Sequence, residues 1–151
     1  MNSSGNGAIL LYTKMAKKFA LGKEEKLKSR KQIESLFANG KTFMCFPLRI
    51  SYALSPPAEG EKSGMQIGVS ASKRYFKRAV DRNRIKRLMR EAYRLQKKEI
   101  ATFLQTNQLK GHVFFIYIDK SLPTYSTVFE AMTKCLKLLQ KKAEKSNEKT
   151  S

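Results

Sequence analysis

Between Lys73 and Arg94 the chain reads KRYFKRAVDRNRIKRLMREAYR, where ten Lys or Arg residues face only Asp81 and Glu91. The chemistry open to such a stretch is polyanion binding, because ammonium groups neutralise phosphates and guanidinium forks grip them bidentately. Read as one amphipathic helix, it places Ile85, Leu88, Met89 and Ala92 on an apolar stripe, while Arg82, Lys86, Arg90 and Arg94, each four apart, run up the opposite side. A charge run is ordinarily a solvated helix face, but such faces mix signs so that neighbours at i and i+4 attract. Here the row repels itself and needs an anionic partner. Asn83 falls inside the basic sector, and an amide that both donates and accepts suits a sugar hydroxyl or a base edge.

Hydrolysis by the protein alone would require other groups: paired carboxylates for metal ions, or a His or Lys base at a cleft. Asp81, Glu91, Glu99, Asp119 and Glu130 are scattered singly. Asp81 is the acid amid the basic cluster, and in a first helical turn it has an ordinary role at the dipole. Cys45, Cys135 and the single His112 are too few and too far apart in sequence for a metal site, a disulfide framework or a Cys/His catalytic pair. The chemistry on offer is binding, without a catalytic constellation.

The whole chain carries the same bias. Its 31 Lys and Arg against 12 Asp and Glu give a net charge of +19, which predicts salt-sensitive attraction to nucleic acid or to an anionic membrane. Membrane is the weaker choice, because the longest apolar run, Val113 to Ile118, is strand-sized where a spanning helix needs about 20 residues. Two cysteines in 151 residues suit a reducing cytoplasm, and the length suits one domain with a modest core. Residues 1–22 read as a disordered extension: Lys14, Lys17 and Lys18 follow the apolar patch Ala8 to Tyr12 where a signal peptide would have its charges first, and Met15 is an alternative start. Residues 23–142 form the predicted domain, and 143–151 a disordered Lys-rich tail.

Several elements must position the basic stretch. Ser29 with Gln32 fits a capping box for a first helix whose Ile33, Leu36 and Phe37 share a face, and Gly40 stands at its end. Phe46 to Leu54 alternates as a half-buried strand with Pro47 at its start. A Pro/Gly/Ser loop from Ser55 to Gly64 follows, then a strand from Met65 to Ser70, and the two strands read as an antiparallel hairpin with a long tip. The basic helix is predicted to reach Phe103 or Leu104, with a turn from Thr106 to Gly111. Val113 to Ile118 is apolar on consecutive positions, so it is predicted to be internal and covered on both faces. Pro123 opens a last helix, with Thr127 and Glu130 as its capping pattern and Tyr125, Val128, Phe129, Met132, Leu136 and Leu139 on one side. The class is α+β: a small two-layer sandwich of a sheet with packed helices, in the order α-β-β-(β)-α-β-α. Its predicted core is Leu48, Ile50, Tyr52, Ile67, Val69, Ile85, Leu88, Val113, Phe115, Leu136 and Leu139.

Arg82-Asn83-Arg84, followed by Ile85-Lys86-Arg87-Leu88 and Arg90 and preceded by Gly68-Val69-Ser70-Ala71-Ser72-Lys73-Arg74, resembles the RNR signature of the bacterial ribonuclease P protein subunit. The resemblance covers roughly Lys26 to Lys141. It implies a left-handed crossover from the G-V-S strand through the RNR helix into a parallel strand, against the general right-handed rule. It further implies a protein component of an endoribonuclease that removes the 5′ leader of precursor tRNA, with hydrolysis by the RNA subunit and its magnesium ions, and no cofactor on the protein itself. The implied partners are that catalytic RNA and precursor tRNA, with no membrane and no obligate protein partner. The residues implied for RNA contact are Lys73, Arg74, Lys77, Arg78, Arg82, Asn83, Arg84, Lys86, Arg87 and Arg90. Those of a leader cleft between the first helix and the sheet, counted without gaps from Gly40, are Ile33, Phe37, Arg49 and Ser51; Ile33 and Ser51 stand where the family usually carries aromatics, and the alternative for Ile33 and Phe37 is that they are core residues.

Two rival functions use the same charge. A DNA-binding or ribosome-associated module would insert the helix in a groove, with a second short helix one tight turn before it, and Met65 to Ser70 reads as a strand instead. An RNA chaperone or a membrane-surface protein would tolerate scrambling of the basic face.

Overall fold

The computed structural model describes residues 25–150, with side chains through Lys145, so the extension predicted for 1–22 lies outside the described residues. The elements are α1 (Arg30–Asn39), β1 (Lys41–Cys45), β2 (Leu48–Ser55), β3 (Gly64–Ala71), α2 (Ala79–Thr106), β4 (Lys110–Tyr117) and α3 (Tyr125–Thr150). The α+β architecture and its order stand, with the optional third strand realised as β1. Phe46 and Pro47, joined by a cis peptide bond, turn the chain between β1 and β2, so the strand predicted from Phe46 starts at Leu48.

The four strands lie in the order β1-β2-β4-β3, with β1–β2 and β2–β4 antiparallel and β3–β4 parallel. The hairpin predicted between β2 and β3 therefore does not form, because β4 separates them. A sheet gains most from placing its most apolar strand inside, and the loop from Ser55 to Gly64 readily spans two strand spacings of about 4.8 Å each. The outer edge of β3 is covered by the segment before α1, where Lys26 bridges Ile67 in parallel and the Leu27 amide donates to the Ile67 carbonyl at 2.8 Å. Lys97 of α2 pairs with Glu25 at 2.7 Å and ties that segment down.

One face of the sheet holds the core. Leu48, Ile50, Tyr52, Met65, Ile67, Val113, Phe115 and Tyr117 point into it, against Ile85, Met89, Tyr93, Ile100 and Leu104 of α2 and Val128, Met132, Leu136 and Leu139 of α3. Each such side chain contributes about 1.5–3 kcal/mol by leaving water. Of the predicted core, Val69 and Leu88 sit at its margin, partly buried. Helix α2 packs on β3 and β4, and α3 on β1 and β2, so the two helices divide the face between them. Burial raises the Tyr93 hydroxyl above its ordinary pKa, and burial raises that of Tyr117 to about 12 while it donates to the Ser121 carbonyl at 2.6 Å.

β4 was expected to be covered on both faces, and its alternation of buried and half-buried residues shows that only one is sealed. The other is covered in part by α1, a ten-residue helix whose single fully buried residue is Leu36. Ser29 caps α1 by accepting from the Gln32 amide, and at its other end a Cβ on Gly40 would lie 2.3 Å from the Leu36 carbonyl oxygen. Close approach, not φ, requires that glycine. Helix α3 starts at Tyr125 with Thr124 Oγ1 accepting from the Thr127 amide, three residues ahead of the predicted cap. Its helical backbone continues through 143–150, the segment read as a tail, and Ala143 is fully buried. The fold also brings near each other the two cysteines that sequence separation kept apart: burial first, and then the neighbouring Cys45 at the end of β1, push the Cys135 thiol of α3 up, and both cysteines are free.

Candidate nucleic-acid interface

The basic helix does not begin at Lys73. Residues 73–78 form an irregular turn and α2 starts at Ala79. Helical spacing would set Lys73 over Lys77 and Arg74 over Arg78 as repelling pairs. Instead the Ser72 hydroxyl accepts from the Arg74 amide at 3.1 Å, the Phe76 amide donates to the Ser72 carbonyl at 3.0 Å, and the Phe76 ring drops into the core against Tyr117. Lys73, Arg74, Lys77 and Arg78 are left fanned outwards and exposed, and Asp81 takes the first turn of α2.

Four of the predicted cations do not form one uniform row. Arg82 lies three residues from Ile85 and seven from Met89, so the helical repeat puts it beside the buried stripe. Its guanidinium donates to the carbonyls of Phe76 and Lys77 at 2.8 and 2.9 Å, bracing the turn. At the far end Arg94 pairs with Glu91 at 3.1 Å and is largely buried. In the first three turns of the helix the exposed cations are Arg84, Arg87 and Arg90, with Asn83 exposed among them and Lys86 half-buried. The repulsion inferred from the sequence is thus relieved within the fold at both ends of the row, and the middle faces solvent.

The second predicted cluster lies on the open side of the sheet. Residues two apart on a strand share a face, so Arg49 and Ser51 of β2 stand opposite Ile116 and Phe114 of β4. Phe37 on α1 meets Phe114 edge to face with ring centroids 5.1 Å apart, and 49% of its surface is exposed. It is therefore a half-open ring rather than a core residue. Arg49 is exposed one side-chain step along, whereas Ser51 is only 4% exposed and forms the floor. Ile33 lines a cavity of about 250 Å³ together with Lys26, Lys28, Val69, Phe114 and Arg90. Arg90 thus shares a cavity with Ile33 and with Phe114, the ring that Phe37 meets, and this links the helix surface to the α1 side of the sheet. His112, on the same face of β4, is held below its ordinary pKa by burial first and by Lys110 second, so it is neutral near pH 7.

Phe114, Lys26 and Lys28 were not singled out from the sequence. Phe114 was read as strand core, and the available signal was Gly68 in the facing strand: a Cβ there would lie 2.5 Å from the Phe114 ring. Gly68→Ala is expected to push that ring toward Phe37 and to cost about 1–3 kcal/mol, the range of overpacking. Urea unfolding measures it, and an unchanged midpoint would show that the ring moves aside freely. Among the described residues no group of three or more His, Cys, Asp or Glu is gathered to hold a metal ion, and no helix is long and apolar enough to cross a membrane.

Comparison with known proteins gives a consistent pattern. The Ribonuclease P family model matches residues 21–144. The Ribonuclease P protein component of Porphyromonas gingivalis is 42% identical over 118 residues, covering 78% of this chain and 85% of that protein. That of Chlorobaculum tepidum is 37% identical over 93 residues, 61% of this chain and 60% of that one. Among solved structures, the RNase P proteins of Staphylococcus aureus and Thermotoga maritima align with TM-scores of 0.58 and 0.57. They cover 76% and 75% of this chain and 94% and 96% of theirs, at 18% and 20% identity, where the likeness is one of fold.

Proposed function

The chain belongs to the ribonuclease P protein family, and on that premise we propose that it is the RNA-binding half of a ribonucleoprotein in which the RNA subunit, with its magnesium ions, cuts the 5′ leader from precursor tRNA. The observation that carries this reading is the junction at Arg90, where a cationic helix surface meets a cavity lined by Ile33 and by Phe114, on whose ring the half-open Phe37 packs. On this reading Lys73, Arg74, Lys77, Arg78, Arg84, Lys86, Arg87 and Arg90 neutralise phosphates of the catalytic RNA, and Asn83 adds a directional contact. Arg82 acts by holding the turn that presents the first four. In the cleft, Phe37 stacks on a base of the single-stranded leader, Arg49 holds a phosphate, and Ile33 and the Ser51 floor shape the passage. The work would take place in the cytoplasm and without a further protein subunit.

A DNA-reading module is not favoured, because the element that precedes α2 is the strand β3 and a turn rather than a positioning helix. The test is cleavage of precursor tRNA with and without the cognate RNA subunit. RNA-free protein is expected to leave the substrate intact, and its addition to the RNA subunit is expected to accelerate release of the leader. Cleavage at the mature 5′ end by protein treated to remove all RNA would refute the division of labour.

A further inference from the structure

Tyr75 stands at the crest of the turn 73–78, with 39% of its surface exposed. The backbone on either side of it is tied down. Phe76, the next residue, is buried against Tyr117, Ser72 holds the Arg74 amide, and Arg82 clamps the carbonyls of Phe76 and Lys77. Two cationic heads lie over the ring, the Arg74 guanidinium 6.0 Å and the Lys120 ammonium 5.6 Å from its centroid. Lys120 comes from the loop between β4 and α3, which is also tied: Asp119 accepts from the Lys120 amide at 2.7 Å and from the Ser121 hydroxyl at 3.2 Å. The nearby acid is thus engaged with its own loop. An aromatic ring on a rigid mount, flanked by cations from two different loops, has the parts of a single-strand contact: a π face for a base and charges for the phosphates on either side.

We propose that Tyr75 is a stacking platform for one unpaired nucleobase of the bound RNA, with Arg74 and Lys120 on the adjoining phosphates. This rests on the RNA-binding reading above and adds a site outside the leader cleft. A paired base keeps its faces inside the helix and cannot stack there, so the platform selects a bulge, loop or strand end. A purely structural role for Tyr75, pinning Arg74 and Lys120 to one another, predicts a different response to substitution.

The test uses the full chain and the cognate RNA subunit. Tyr75→Leu is expected to weaken the complex on the order of tenfold and Tyr75→Phe to bind within about twofold of the unaltered protein, both with an unchanged salt slope, because stacking is lost without loss of charge. The chain has no tryptophan, so Tyr75→Trp supplies a sole indole emitter at the site. Its emission is expected to be quenched by the RNA subunit and left unquenched by heparin, a bound polyanion without bases. Equal quenching by both ligands, or Tyr75→Leu binding as tightly as Tyr75→Phe, overturns the proposal. A changed salt slope in Tyr75→Leu also overturns it, since that marks displaced cations. Should Tyr75→Leu melt early, the Trp quenching decides alone. Absence of saturable binding by the unaltered protein removes the RNA-binding reading and this one together, whereas a binding-competent Tyr75→Leu removes this one only.

Discussion

Substituting Arg84→Gln, Arg87→Gln and Arg90→Gln together is expected to weaken binding to the RNA subunit by about a hundredfold near 0.1 M salt, with the deficit closing toward 1 M. The three are the exposed cations of the first three turns of α2. Each phosphate contact contributes about 0.7–0.9 to the slope of log affinity against log salt, so three lost contacts flatten the slope by roughly 2 to 3. The fold should survive, because Gln is about as good a helix former as Arg and none of the three braces another element. Arg82→Gln is the contrasting variant. It removes a charged donor from the two carbonyls of the turn and is expected to lower stability by about 1.5–3 kcal/mol. A salt titration of complex formation together with a thermal melt separates them. If the triple variant binds with an unaltered slope, RNA does not lie on this face, and the assignment of α2 to RNA binding fails.

Phe37→Ala is expected to weaken the holoenzyme's hold on precursor tRNA by about 1–3 kcal/mol, a loss of roughly 5- to 150-fold, while binding of mature tRNA stays nearly constant. The difference isolates the leader, which mature tRNA lacks. The protein itself should lose about 1–3 kcal/mol, half the transfer energy of a buried Phe together with its edge-to-face pair with Phe114, because Phe37 is half-exposed. Competition binding of the two tRNA forms reads the first effect and a melt the second. Equal weakening toward both forms would place the contribution of Phe37 in general RNA affinity or in fold, and the leader cleft would have to be sought elsewhere.

The α+β class, the helix from Ser29 and most of the core were legible because they depend on local pattern: caps, period-2 and period-3.6 spacing, and glycine at a helix end. Ile85 and Met89 were found on α2 because a helix repeats regardless of what it packs against. The RNR segment was legible for a related reason, since segregation of like charge on one helix is a property of consecutive residues. Strand partnership was not legible in this way. β2 and β3 look like a hairpin from their proximity in sequence, and only the apolar content of β4, which comes forty residues later, explains why it is inserted between them.

What the sequence determined by itself, then, was the inventory: a strongly cationic chain, an amphipathic helix with its charges and its Asn83 on the solvent side, and an aromatic at Phe37 in reach of the sheet. What only the tertiary structure decided was which of those groups are free to act. Arg82 and Arg94 carry the same charge as Arg87 and Arg90, yet carbonyls of the turn hold the first and Glu91 the second. Ser51 has the residue spacing of a cleft contact and is buried as its floor, while Phe114, read as core, underlies the open ring of Phe37. The physical reason is common to all four. Charge and side-chain type are written locally, but availability depends on burial and on hydrogen-bond partners that arrive from elsewhere in the chain, and those are set when helices and strands distant in sequence pack together.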